Sequence, residues 1–98
     1  MTVNWTPRGL KRLDGILAGI AFNAGIITSL KWHDNIFDTA ERLADFPLSG
    51  RVVPEIGRED IREIILSPYR IIYKTCRASC EILSVRHSRR QIKSLRSL

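Results

Sequence analysis

From Ile61 to His87 the apolar residues come in short runs rich in β-branched and aromatic side chains. The runs read Ile-Arg-Glu-Ile-Ile-Leu, then Tyr-Arg-Ile-Ile-Tyr-Lys-Thr, then Glu-Ile-Leu-Ser-Val-Arg-His. Such residues suit a pleated, half-buried surface. Ser67-Pro68 marks a turn after the first run, and Cys76-Arg77-Ala78-Ser79 breaks the chain after the second. The pattern predicts three consecutive antiparallel strands joined by tight turns. With a period of two, Arg62, Ile64 and Leu66 share one face and Ile61, Glu63 and Ile65 the other. Tyr69, Ile71 and Tyr73 alternate with Arg70, Ile72 and Lys74. Leu83, Val85 and His87 alternate with Ile82, Ser84 and Arg86. The middle strand is apolar on both sides. Helices are expected over one face and partial cover over the other, which leaves room for a partner.

Upstream the period changes. Val3-Asn4-Trp5 reads as a short edge strand, and Thr6-Pro7 as a helix start. Thr is a good N-cap, and Pro in the first turn loses no donor that the helix needs. Trp5 and Leu10 stand at the positions of a hydrophobic staple. Leu10, Leu13, Leu17 and Ile20 recur at helical spacing, widened by Ile16 and Ala21, with Lys11, Arg12 and Asp14 on the other side. The helix is expected to end or bend near Phe22-Asn23. A second helix is predicted from about Ala24 to Asp45. Ile26, Leu30, His33, Phe37, Ala40 and Ala44 recur along it, and Trp32, Ile36 and Leu43 extend the face. Two amphipathic helices with a short break make an αα-hairpin, and a sheet is the surface they cover.

Phe46-Pro47 stops that helix. The longest connection follows, 48–58, punctuated by Pro and Gly and carrying Arg51 and Arg58. The tail Ser88–Leu98 fits a basic helix with Ile92 and Leu95 on one side, or a segment that orders on binding. One domain over 1–98 is expected: helical hairpin about 6–45, sheet about 61–87, basic tail 88–98. The fold class is α+β, an N-terminal helical hairpin packed on a small antiparallel β-sheet.

Charge sharpens this picture. The chain has 98 residues and a formal net charge of +6. Residues 1–50 hold five basic and five acidic groups; residues 51–98 hold eleven and five. The excess lies with the strands and predicts an acidic partner. A plainer reading is a solvated basic face that keeps a small protein soluble. At 44% hydrophobic the chain supports a core, and it lacks an apolar run of about 18–20 residues. Its start has no signal-peptide pattern, so a cytoplasmic location is expected. Cys76 and Cys80 are too few for a disulfide framework and are expected to be reduced thiols, although they flank one hairpin turn. No metal site is expected, because neither paired cysteines nor paired histidines have ligand spacing. His33, Trp5 and Trp32 read as core or boundary residues.

Four pieces in order carry a resemblance: Phe-Pro-Leu-Ser-Gly-Arg-Val-Val-Pro-Glu, Ile-Arg-Glu-Ile, Tyr-Arg-Ile-Ile-Tyr, and Ile-Leu-Ser-Val-Arg-His-Ser-Arg-Arg. Together they resemble the RelE/ParE superfamily of bacterial toxins from type II toxin–antitoxin modules, over nearly the whole chain. The resemblance implies a hetero-oligomer with a cognate acidic antitoxin that silences the toxin, and no cofactor.

The superfamily divides by mechanism. The RelE-like branch cleaves messenger RNA on the ribosome without metal, using basic groups as phosphate clamp, acid and base. Here Arg70 matches the arginine that follows Tyr on the central strand. His87 offers acid–base chemistry, Arg62 stands on the preceding strand, and Arg89 and Arg90 suit a phosphate clamp. That branch carries a lysine pair where this chain has Arg62 and Glu63, and a late tyrosine where it has Ser94. The ParE-like branch inhibits DNA gyrase and is not enzymatic. It is the closer likeness, through the Pro-Leu-Ser-Gly-Arg loop, the Ile-Arg-Glu strand and the Val-x-His-x-x-Arg end. Arg51, Arg58, Arg89 and Arg90 are then contacts to the target or its phosphates. In that reading Arg70 is either such a contact or an ion pair with Glu63 or Glu55 that holds the sheet. A third reading is a non-toxic basic interaction module of the same fold.

Overall fold

In a computed structural model describing residues 1–98, the chain begins as strand β1, Thr2–Trp5, and enters helix α1, Pro7–Ala24. Thr6 caps α1: its side-chain oxygen accepts the Gly9 N–H at 2.9 Å and its hydroxyl donates to the Ile82 carbonyl at 3.0 Å. The helix start is thereby tied to a strand 76 residues away. Gly9 is needed at this crossing, because a Cβ there would lie 2.5 Å from the Ile82 carbonyl oxygen. The expected staple is not made. Leu10 is exposed, and Trp5 packs against Phe37 with ring centroids 4.8 Å apart.

Helix α1 runs past Phe22-Asn23 and closes at Gly25, whose φ of 92° suits glycine. Helix α2 spans Ile26–Glu41 and tightens into a 3₁₀ turn at Arg42–Ala44. Its buried face keeps the later part of the expected stripe and loses the early part. Ser29, Ile36, Ala40 and Leu43 point inward, whereas Ile26, Leu30 and His33 face solvent. The inward turn at Ser29 has a polar cause: its hydroxyl donates to the Leu17 carbonyl at 2.8 Å, pinning the two helices together.

Four more strands follow: β2 Arg51–Val52, β3 Ile61–Leu66, β4 Tyr69–Thr75 and β5 Ser79–His87. They form one sheet with β1 in the order β1-β5-β4-β3-β2. The β3-β4-β5 meander is antiparallel, as the alternation predicts, while β1 runs parallel to β5. Strand β2 arises inside what read as loop; it pairs Arg51 with Glu63 and Val52 with Arg62.

The sheet has a core on each face. On the helix side Leu13, Ile36, Ala40 and Leu43 meet Ile71, Tyr73, Cys80, Ile82 and Val85. On the other side Val53, Ile61 and Ile72 meet Ile92 and Leu98 from the tail. A bulge explains how β5 feeds both. Tyr73 pairs with Ile82 but Ile72 pairs with Ser84, so Leu83 is an extra residue. The strict alternation expected for β5 therefore fails: Ile82 and Val85 share the helix side, and Leu83 packs toward the tail.

The tail corrects a second expectation. It is neither a basic helix nor a loose end but a strap with a 3₁₀ turn at Leu95–Ser97. Arg86 fastens it by donating to the carbonyls of Gln91 and Ser97 at 3.2 and 2.7 Å. Arg8 adds a bond to the Arg96 carbonyl at 3.0 Å. The second sheet face, expected to be only partly covered and so free for a partner, is covered by the chain's own tail. Cys76 and Cys80 are both free thiols, and burial pushes the Cys80 thiol pKa up.

Candidate functional site

The basic residues separate into those that meet carboxylates and those that do not. The first set surrounds Glu63, buried in β3. Arg70 in β4 donates through Nε to Glu63 at 2.5 Å and through its two terminal nitrogens to Glu55 at 2.8 and 2.9 Å. Arg51 in β2 donates to the other Glu63 oxygen at 2.7 Å. The bidentate bond to Arg70 holds the Glu55 pKa down at about 2, and the same bond raises that of Arg70. Both ion pairs weighed for Arg70, with Glu63 and with Glu55, are present.

The loop before β2 locks onto the same strands. Tyr73 donates to the Pro47 carbonyl at 2.8 Å and accepts the Gly50 N–H at 3.0 Å. Arg62 donates to the Gly50 carbonyl at 2.9 Å and to that of Glu59 at 2.9 Å. A Cβ on Gly50 would lie 2.6 Å from both the Glu63 carbonyl and the Tyr73 hydroxyl. The Pro-Leu-Ser-Gly-Arg string thus works as a clasp across β3 and β4. Arg58 is taken up by Asp60, with contacts of 3.0 and 2.7 Å.

The second set lines a cleft of about 640 Å³ between α1 and the end of β5. Strand β1 pairs only with Ser79–Ile82, so the last part of β5 has no strand beside it. Arg8, Lys11 and Arg12 come from α1, at helical spacing that places them together. Arg86, His87 and Arg90 come from the end of β5 and the start of the tail. None of the six takes part in an ion pair. Arg86 is buried, and its Nε has no partner. Its pKa is lowered by burial and by the nearby charges of Arg12, Arg90 and Arg70. A second depression, lined by Ile20, Trp32, Pro68 and Tyr69, adjoins the cleft and shares Gly15, Ile16 and His87 with it.

Of the residues singled out from sequence, Arg70, Arg62 and His87 do not converge. Arg70 lies under the tail side between two glutamates, Arg62 holds the loop clasp, and His87 stands at the cleft with its ring edge toward Tyr69, centroids 6.0 Å apart. Arg51 and Arg58 are paired, Arg89 is exposed, and Arg90 is in the cleft. Sequence reading passed over Arg8, Lys11 and Arg12, and noted Arg86 only as one of the arginines recurring along the strands with Arg62 and Arg70. The signal for the first three was their shared helical face. For Arg86 the sequence showed a basic residue on an apolar strand, and only the tail's path shows its contacts. The cleft holds five permanent cations and no carboxylate, so it is suited to holding anions.

A family model described as ParE toxin of type II toxin–antitoxin system, parDE, matches residues 3–92. The chain belongs to the ParE toxin family. Among solved structures it is similar to a chain described as the chromosomal ParDE TA system from P. aeruginosa. The two superpose with a TM-score of 0.76 at 20% identity, covering 89% of this chain and 95% of that one. Among curated proteins no match is found. No helix is long and apolar enough to cross a membrane.

Proposed function

We propose that this type II toxin acts in the ParE manner, arresting growth by inhibiting DNA gyrase in the cytoplasm, and that a cognate acidic antitoxin neutralises it. The observation that carries the non-enzymatic reading is the double clamp on Arg70. A phosphate-orienting catalyst needs a free guanidinium. Here two carboxylates already hold it, and a scissile phosphate would have to displace them against their charge. Arg62 and His87 lie apart from it, so clamp, acid and base are not assembled around one point. The exposed cations Arg89 and Arg90 remain available to a target, whereas Arg51 and Arg58 would first have to leave Glu63 and Asp60.

The antitoxin is expected to be acidic and to order as it binds. Its affinity should fall as salt rises from low to physiological strength. The target is tested by inducing the toxin alone. Filamentation with a DNA-damage response, and cleaved DNA accumulating with purified gyrase, support the proposal. Immediate loss of translation with messenger cuts inside codons would overturn it in favour of RNA cleavage. Unimpaired growth would leave the non-toxic module.

A further inference from the structure

The cleft between α1 and β5 gathers six basic side chains, none of them in an ion pair. Five permanent cations and His87 line it, and Ile16 and Val85 are its only apolar residues. Arg86 brings to it a buried donor atom with no partner, which costs free energy unless something accepts from it. The lining contains no carboxylate, amide or hydroxyl side chain. With His87 Nδ1 already accepting the Arg89 N–H, no side chain there is free to accept from a base edge or a ribose hydroxyl. Arginine forks match phosphate oxygens in pairs. Next to this cationic wall, the adjoining depression presents Trp32, Tyr69 and the shared His87. Trp32 and Tyr69 meet edge to face at 5.1 Å, each only partly buried. A basic groove beside partly exposed aromatic side chains is the physical recipe for a strand whose bases are unstacked. An acidic peptide would find the charges but few apolar anchors within the cationic cleft.

We propose that the cleft is a binding site for single-stranded nucleic acid, indifferent to sequence and to sugar. Lys11 and Arg90 hold the phosphodiester backbone, Arg8, Arg12 and Arg86 add their charge from beneath the tail carbonyls they bind, and Tyr69 and Trp32 take a base. This goes beyond the gyrase reading and does not depend on it.

The test is fluorescence anisotropy of labelled oligothymidine and oligouridine, titrated with the whole chain at several salt concentrations. DNA and RNA strands should bind alike, with log K falling against log salt at a slope of about −2 to −3, as for three or four neutralised phosphates. Lys11→Glu with Arg90→Glu should weaken binding at least about tenfold while thermal unfolding is unchanged. Should that pair unfold, Lys11→Ala with Arg90→Ala gives the same reading at smaller size. Arg77→Glu, exposed in the β4–β5 turn at the opposite end of β5, should leave binding within about twofold, because charge at that range is screened. Absence of binding at low salt, an equal loss in Arg77→Glu, or capture of a polyglutamate peptide but not the oligonucleotide would overturn the proposal. Growth arrest has no part in these readouts, so they fail or succeed separately from the gyrase assay.

Discussion

Arg70 and Arg86 are neighbours across β4 and β5, directly paired in register, yet they live in opposite circumstances. Each is buried. Arg70 meets two glutamates, which keep its charge comfortable and close the sheet against the loop. Arg86 bonds backbone carbonyls, has three arginines and one more distant carboxylate, Glu55, around it, and one of its nitrogens has no partner. Charge that is neutralised inside the fold serves the fold, whereas charge left over serves whatever arrives. A count of basic residues cannot make that distinction. Half of the cleft comes from α1, in the part of the chain whose formal charge is zero.

The largest way to break this contrast is to remove Arg70. Arg70→Ala leaves Glu63 buried with Arg51 alone and frees Glu55. The expected cost is about 3–5 kcal/mol, a fall in melting temperature of more than about 10 °C by circular dichroism. A change under 2 °C would mean that the carboxylates do not depend on it. Tyr73→Phe tests the clasp beside it. The Gly50 N–H and the Pro47 carbonyl would both lose their partner, at about 1–3 kcal/mol in urea unfolding.

Acid gives a third handle. Glu55 has a folded-state pKa of about 2, below its ordinary 4.5. A depressed carboxylate adds stability above its unfolded pKa and loses it as pH falls. Its share should therefore be intact above pH 4.5 and decline toward pH 2. With one side open to solvent, the loss is put at about 1–2 kcal/mol. Glu55→Gln should flatten that part of the pH–stability curve. The smallest effect is expected in the cleft: Lys11→Ala should change the unfolding free energy by less than about 0.5 kcal/mol. A larger loss there would make the second population structural too.

Much of the frame was legible because local signals were strong. Thr6-Pro7 set the start of α1, Pro47 the end of the hairpin, and the β-branched runs the three-strand meander. The misses share a cause, which is that distant partners decided them. Strand β2 exists because Glu63 and Arg62 give Arg51 and Val52 a ladder to join. The bulge at Leu83 lets β5 serve both cores, which a period of two cannot express. The tail is a strap because Ile72 and Ile61 offered an apolar face that Ile92 and Leu98 could reach. The α2 face rotated toward Ser29 because a backbone carbonyl on α1 accepts its hydroxyl. Of the site, the Arg70–Glu63 pair was foreseeable from opposite charges on adjacent strands, and Glu55 joins it from the connection between β2 and β3. The cleft was not, since it joins a helix to a strand end more than 70 residues away.

The central claim is that pairing, and not position in a motif, assigns each arginine its work. A double-mutant cycle on Arg70 and Glu63, read as urea unfolding free energies of the single and double alanine variants, tests it most directly. The account predicts a coupling of about 2–3 kcal/mol between them. A coupling below about 0.5 kcal/mol would show that the two side chains are neighbours without being partners, and would contradict it.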